Sequence, residues 1–164
     1  MAHDHILQQV VSGHEFQAAY FQLLSSARRE ILISTFRMEN PLNKKSKVLD
    51  GLFYRLQQCK NRGVKIKILL NLYDESKRAG QINKRTAVEL NRYGIKCRRP
   101  QGNQCNHAKI LLVDHNNILM GSHNLTRHSF GSNFEVSVLI KNADILKPIR
   151  ESMLQAWKTY IPIV

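Results

Sequence analysis

The residues HAKILLVD at 107–114, followed after six more by GSHN at 121–124, decide how this chain is read. The first stretch is apolar, rich in branched side chains and free of Gly and Pro, which is the pattern of a strand. Side chains alternate along a strand. His107, Lys109, Leu111 and Val113 therefore share one face, and Ala108, Ile110, Leu112 and Asp114 the other. An imidazole and an ammonium emerge side by side at the start of an otherwise buried strand. Asp114 points away from both and is expected to tie down a turn or loop. DHNN at 114–117 reads as a turn and ILMGSHN at 118–124 as the return strand. If that strand runs to its end, Ser122 and Asn124 share a face as well.

The flanking sequence supplies the rest of a sheet. EILISTF at 30–36 and VKIKILLN at 64–71 read as buried strands, and IKCRR at 95–99 as a short one. Val48, Leu49, Leu52, Phe53 and Leu56 mark one face of a helix that Gly63 is placed to end. RMENPLNKKSK at 37–47 reads as a loop carrying Lys44, Lys45 and Lys47. LYDESKRAGQINK at 72–84 reads as a second polar loop, with a helical pattern beginning at Ala87 and stopped by Gly94. Near the N-terminus, Ser12-Gly13-His14-Glu15 is a candidate capping box with Val11 as its staple. It opens a helix with Phe16, Tyr20, Leu23 and Leu24 on one face, and His14 is expected on its exposed first turn. Residues 134–140 read as a strand. Leu146, Ile149, Met153, Trp157 and Tyr160 form one face of a final helix. The expectation is an α/β fold, a mixed central β-sheet flanked by helices on both faces, in one domain over residues 1–164.

Charge narrows the partners. The formal net charge is +13. Residues 44–99 hold sixteen Lys and Arg against four Asp and Glu, a net +12 in that span. An imbalance so localised points to a polyanion, with nucleic acid ahead of anionic lipid. Cys59, Cys97 and Cys105 are an odd number without a compact spacing, which fits a reducing compartment. A zinc site built on Cys97, Cys105 and nearby histidines would lack a C-x2-C or H-x3-H pair. The first fifteen residues have neither a basic start nor a long apolar run. A cytoplasmic location without stable membrane association is expected.

The spacing H-x-K-x4-D-x6-G-S-x-N resembles the signature of the phospholipase D superfamily, and NFEVSV at 133–138 is similar to the place where its members carry a Glu, here Glu135. The likeness extends over about residues 16–157 and is nearest to the small bacterial nucleases that carry one motif per chain. It implies that Thr35, Phe36 and Arg37 lie by the catalytic cleft.

A phosphodiester needs a nucleophile, positive charge on its equatorial oxygens and an acid for the leaving oxygen. His107 can attack phosphorus and Lys109 can supply the fixed charge. Ser122 and Asn124 can donate neutral hydrogen bonds, and Glu135 can hold an imidazole N–H. One histidine cannot be nucleophile and leaving-group acid at the same instant. The resemblance therefore implies a homodimer with the site across its twofold axis. No cofactor and no catalytic metal are expected. Arg98, Arg99 and Arg127, with Lys44, Lys45 and Lys47, are the candidate contacts to the phosphates of DNA or RNA. A phospholipid hydrolase is the alternative reading, although no amphipathic helix with an exposed apolar face stands out.

Overall fold

The computed structural model describes residues 7–42, 45–72, 74, 76–141 and 143–164. Twelve elements follow in order: β1 (Leu7–Ser12), α1 (Gly13–Ser26), β2 (Glu30–Thr35), α2 (Lys47–Asn61), β3 (Lys65–Leu70), α3 (Arg78–Arg92), β4 (Lys96–Arg99), β5 (Ile110–Val113), β6 (Asn117–Gly121), β7 (Val136–Lys141), α4 (Ala143–Thr159) and β8 (Ile161–Pro162). The strands form one sheet in the order β1-β7-β6-β5-β2-β3-β4-β8. β2, β3 and β4 are parallel, as strands joined through helices must be, and the remaining pairings are antiparallel.

The sheet is apolar on both faces, so both are covered. Ile31, Ile33, Ile68, Leu111 and Leu119 pack with α1, α2 and α3 into one core. Leu32, Leu69, Leu112 and Ile118 meet α4 on the other side, through Leu146, Met153 and Trp157. One helix cannot roof eight strands. On the α4 side, Val10 and Val136 stay 66% and 40% exposed at the β1–β7 end.

Strand direction gathers the site. β2 and β6 end, and β5 and β7 begin, on the same rim of the sheet. The segments after β2 and β6 and before β5 and β7 therefore converge there, although they lie up to a hundred residues apart in the chain.

Four local expectations need correction. The capping box is not formed: Ser12 is the last residue of β1 and its side chain makes no capping bond. Gly13, at φ +50°, turns the strand directly into α1. The polar stretch before Ala87 is not all loop, because α3 begins at Arg78. Its buried face carries Asn83, Thr86 and Glu89, so the apolar period is absent where the helix starts. The return strand stops at Gly121, which leaves Ser122 and Asn124 beyond its end. The strand expected from Phe134 starts at Val136, and Phe134 is 95% exposed.

Candidate active site

The residues before β5 are anchored by an asparagine. Asn106 is buried; its N–H donates to Asn71 Oδ1, its side-chain amide to the Leu69 carbonyl, and its Oδ1 accepts the Ser34 hydroxyl. These bonds tie the loop to β2 and β3, so the next residue, His107, leaves the sheet from a fixed point. His107 is exposed and Lys109 half-buried. The Lys109 ammonium donates to the His107 carbonyl at 2.7 Å and lies 3.0 and 3.1 Å from the two ring nitrogens. Phe36, just past β2, holds its ring 5.0 Å from the imidazole and 5.6 Å from the ammonium. Burial pulls the Lys109 pKa below its ordinary value, against the opposing pull of the Glu135 carboxylate.

β6 delivers the next two groups. Gly121 passes so close to β7 that a Cβ there would stand 2.3 Å from the Val136 carbonyl, a contact only glycine avoids. Ser122 Oγ accepts the Val136 N–H at 3.1 Å. Asn124 Oδ1 accepts the Arg37 N–H at 3.1 Å and the Thr35 hydroxyl at 3.4 Å. With its oxygen so engaged, the amide turns its NH2 the other way, as a donor. Glu39 laces the two segments, accepting the Arg37 guanidinium at 2.9 Å and the Arg127 N–H at 3.1 Å. Between Ser122 and Asn124, His123 is buried, stacked on Phe16 at 3.8 Å and bonded through Nδ1 to Ser137 Oγ at 2.8 Å. Burial pushes the His123 pKa down, which favours the neutral ring in the core.

His107, Lys109, Ser122, Asn124 and Glu135 all line one open cleft of about 1000 Å³, rimmed by Phe134. Glu135 accepts from the Asn133 amide at 2.9 Å. Among the described residues it makes no hydrogen bond to His107. At the far end of β5, Asp114 accepts the N–H groups of Arg28, Arg29 and Glu30 at 2.7, 2.7 and 3.0 Å. Burial works to raise its pKa, but those bonds outweigh it and hold the carboxyl below its ordinary value.

The basic candidates are dispersed. Arg98 is turned away from the cleft: its guanidinium donates to the Trp157 and Tyr160 carbonyls at the end of α4 and stacks 4.8 Å from the Trp157 ring. Arg99 shares β4 with it, separated from β5 by β2 and β3. Arg127 is exposed, its guanidinium 3.3 Å from His128 Nε2. Lys45 and Lys47 are exposed at the entry to α2, and Lys44 lies outside the described residues. None of the five described lines the cleft. Asn71, Asn83, Asn106 and Glu39, which hold the rim together, escape a reading of the sequence because a buried polar residue inside a polar stretch leaves no periodic mark.

Among the described residues, no group of three or more His, Cys, Asp or Glu is placed to hold a metal ion, and no helix is long and apolar enough to cross a membrane. The chain is similar in fold to Nuc from Salmonella typhimurium, described as a phospholipase D family member, with TM-score 0.75 and 22% identity over 96% of this chain and 98% of that one. NucT from Helicobacter pylori is alike at TM-score 0.75 and 14% identity, covering 96% and 99%. Cardiolipin synthase A of Buchnera aphidicola is 29% identical over 143 residues, which is 84% of this chain but 28% of that protein. The chain thus spans little more than a quarter of the curated relatives it matches. Residues 20–157 match the family described as "Cardiolipin synthase, PLD-like domain". With this match over most of its length and the shared fold, the chain belongs to the phospholipase D superfamily, whose members act on phosphodiesters.

Proposed function

We propose that the protein is a metal-independent phosphodiesterase that hydrolyses nucleic-acid backbones through a phosphohistidine. The observation that carries this is the His107 imidazole beside the Lys109 ammonium at the mouth of an open cleft, with Ser122, Asn124 and Glu135 on the same walls. His107 attacks phosphorus in line, an N–P bond forms and the P–O bond to the leaving group breaks. The partner's His107 gives its proton to that oxygen. Water then attacks, the N–P bond breaks, and the partner's His107 takes the proton from water. Lys109 and the Asn124 amide offset the charge gathering on the equatorial oxygens. The charge that a metal ion supplies in other nucleases comes here from Lys109.

A homodimer built from one catalytic domain per chain supplies the second histidine. Exposed apolar side chains support it: Phe134 on the cleft wall, with Val136 and Val10 on β7 and β1, would be removed from water by a second copy. Three free cysteines, two of them buried, support a reducing cytoplasmic setting.

A second reading has its own support. Beside the cleft, an apolar groove of about 390 Å³ runs under α4, lined by Leu69, Ala108, Ile110, Ile149 and Met153 among others. It could take an acyl chain, and the matched family and relatives carry the name cardiolipin synthase. Purified protein in excess EDTA, incubated with labelled DNA, RNA and anionic phospholipid, separates the two. Cleavage of nucleic acid is expected. Turnover of phospholipid with none of nucleic acid would promote the lipid reading.

A further inference from the structure

The candidate active site leaves unused a strongly basic helix. α3 carries Arg78, Lys84, Arg85 and Arg92, and its single acidic residue is Glu89. Glu89 is buried and already held, by the Arg92 guanidinium at 2.8 Å and the Tyr93 hydroxyl at 2.9 Å. Arg78, Arg85 and Arg92 are exposed and seven residues apart, hence on one face. At 1.5 Å per residue they are spread over about 21 Å of helix. Between α3 and the segment after β2 lies a groove of about 380 Å³ lined by Asn40, Leu42, Lys84, Arg85, Val88 and Arg92, with Glu89. Leu42 and Val88 give it apolar surface that is 70% and 39% exposed.

Covalent chain ties this groove to the cleft. Phe36 lies against His107, and six residues later Leu42 lies in the groove. An extended chain gains at most about 3.5 Å per residue, so the two are within about 20 Å. Asn83 of α3 fixes the span between them: its amide donates to the Phe36 carbonyl at 2.8 Å and its Oδ1 accepts the Met38 N–H at 2.9 Å. The groove is therefore braced to the segment that carries Phe36 beside the cleft.

We infer that the α3 groove is a subsite for the strand flanking the scissile phosphodiester. Phosphates lie along the arginine row and bases over Leu42 and Val88. This rests on the nucleic-acid reading above and extends it. Phosphates repeat at 3.4 Å along one strand of a duplex axis, so at most about six nucleotides separate the cleft from the groove. A single lipid headgroup offers no row of charges to match arginines spread along the helix. A bilayer fits less well. An interfacial helix turns an apolar face outward, whereas Ala87 and Leu90 of α3 are spent on the core and Val88 stands exposed among Lys84, Arg85 and Arg92.

The test compares a dinucleotide, whose one phosphodiester fills the cleft and leaves no flanking strand for the groove, with an oligonucleotide of roughly twenty nucleotides, which reaches along it. Wild-type kcat/KM should favour the longer by tenfold or more at low salt and lose that preference as salt rises. The pair Arg78→Glu and Arg85→Glu should bring the ratio to near one, and Arg78→Lys with Arg85→Lys should restore most of it. Thermal unfolding of each variant checks that it is folded. A charge-reversed variant with the wild-type length preference, or a wild type that cleaves both lengths equally, overturns the subsite while leaving the nuclease reading standing. A wild type that turns over phospholipid vesicles but neither oligonucleotide overturns both.

Discussion

The two ends of the HAKILLVD stretch lie on opposite rims of the sheet and are built in opposite ways. At the first end, His107 is exposed and Lys109 half-buried, and their main bonds are to each other. At the second, the Asp114 carboxylate takes three backbone N–H groups. Next to it the buried Glu30 carboxylate takes Lys67 at 2.8 Å, Arg150 at 3.1 Å and His115 at 3.2 Å. Those contacts join the β5–β6 turn, β2, β3 and α4. Hydrogen bonds to charged groups contribute about 1.5–3 kcal/mol each, so the second rim is where charge stabilises the fold. At the first rim Arg37 and Glu39 pair with each other, while the Lys109 ammonium stays at the cleft, where a phosphate can collect it. One four-residue strand, β5, separates the two tasks.

This contrast can be broken at either end. The largest effect is expected from His107→Ala, which should lower the rate at least about a thousandfold, as loss of a nucleophile does. Its Tm should stay within about 2 °C of wild type, since surface truncations cost little. Lys109→Ala should lose about a hundredfold to a thousandfold, the scale of one electrostatic donor. A drop in Tm as large as the loss of rate would imply, in either variant, would erase the distinction between the rims.

Asp114→Ala should act the other way. Three N–H donors, those of exposed Arg28 and Arg29 and of buried Glu30, lose their charged acceptor, at a cost of about 2–3 kcal/mol. That corresponds to roughly 5–10 °C in Tm for a chain of this size. Calorimetry reads this directly, and an unchanged Tm would remove Asp114 from the stabilising rim.

A smaller effect should appear in acid. The Glu30 pKa is also held below its ordinary value: burial would raise it, but the bonds and charges of Lys67 and Arg150 outweigh that. Groups with depressed folded pKa values contribute stability in full above the ordinary carboxylate range, near pH 4, and lose it as pH falls through the folded values. Unfolding midpoints should therefore decline below about pH 4, and less steeply in Glu30→Gln and Asp114→Asn. Equal acid sensitivity in wild type and both variants would contradict the assignment.

The cleft and most of the sheet are legible in the amino-acid sequence. The motif spacing marks His107, Lys109, Ser122 and Asn124, the resemblance to the family adds Glu135, and all five meet in one cleft because β5, β6 and β7 alternate in direction. The α/β sheet is legible because its strands are apolar runs and α2 has a clear periodic face. What stays hidden is polar. The start of α3 buries Asn83 and Thr86 against carbonyls of the segment after β2, and those bonds depend on contacts 47 and 48 residues away. The placement of the basic residues stays hidden for a related reason. Charge counts along a chain carry no direction, and Arg98 caps α4 whereas the α3 row faces outward.

The most direct test of the chemistry is to trap the covalent intermediate. Wild-type protein turning over a radiolabelled oligonucleotide in EDTA is quenched in alkali, which preserves phosphohistidine, and resolved on a denaturing gel. Label should be retained on the wild-type chain and mapped to the peptide containing His107, with none on His107→Ala. Cleavage with no label on the protein, or label that persists in His107→Ala, would contradict the account.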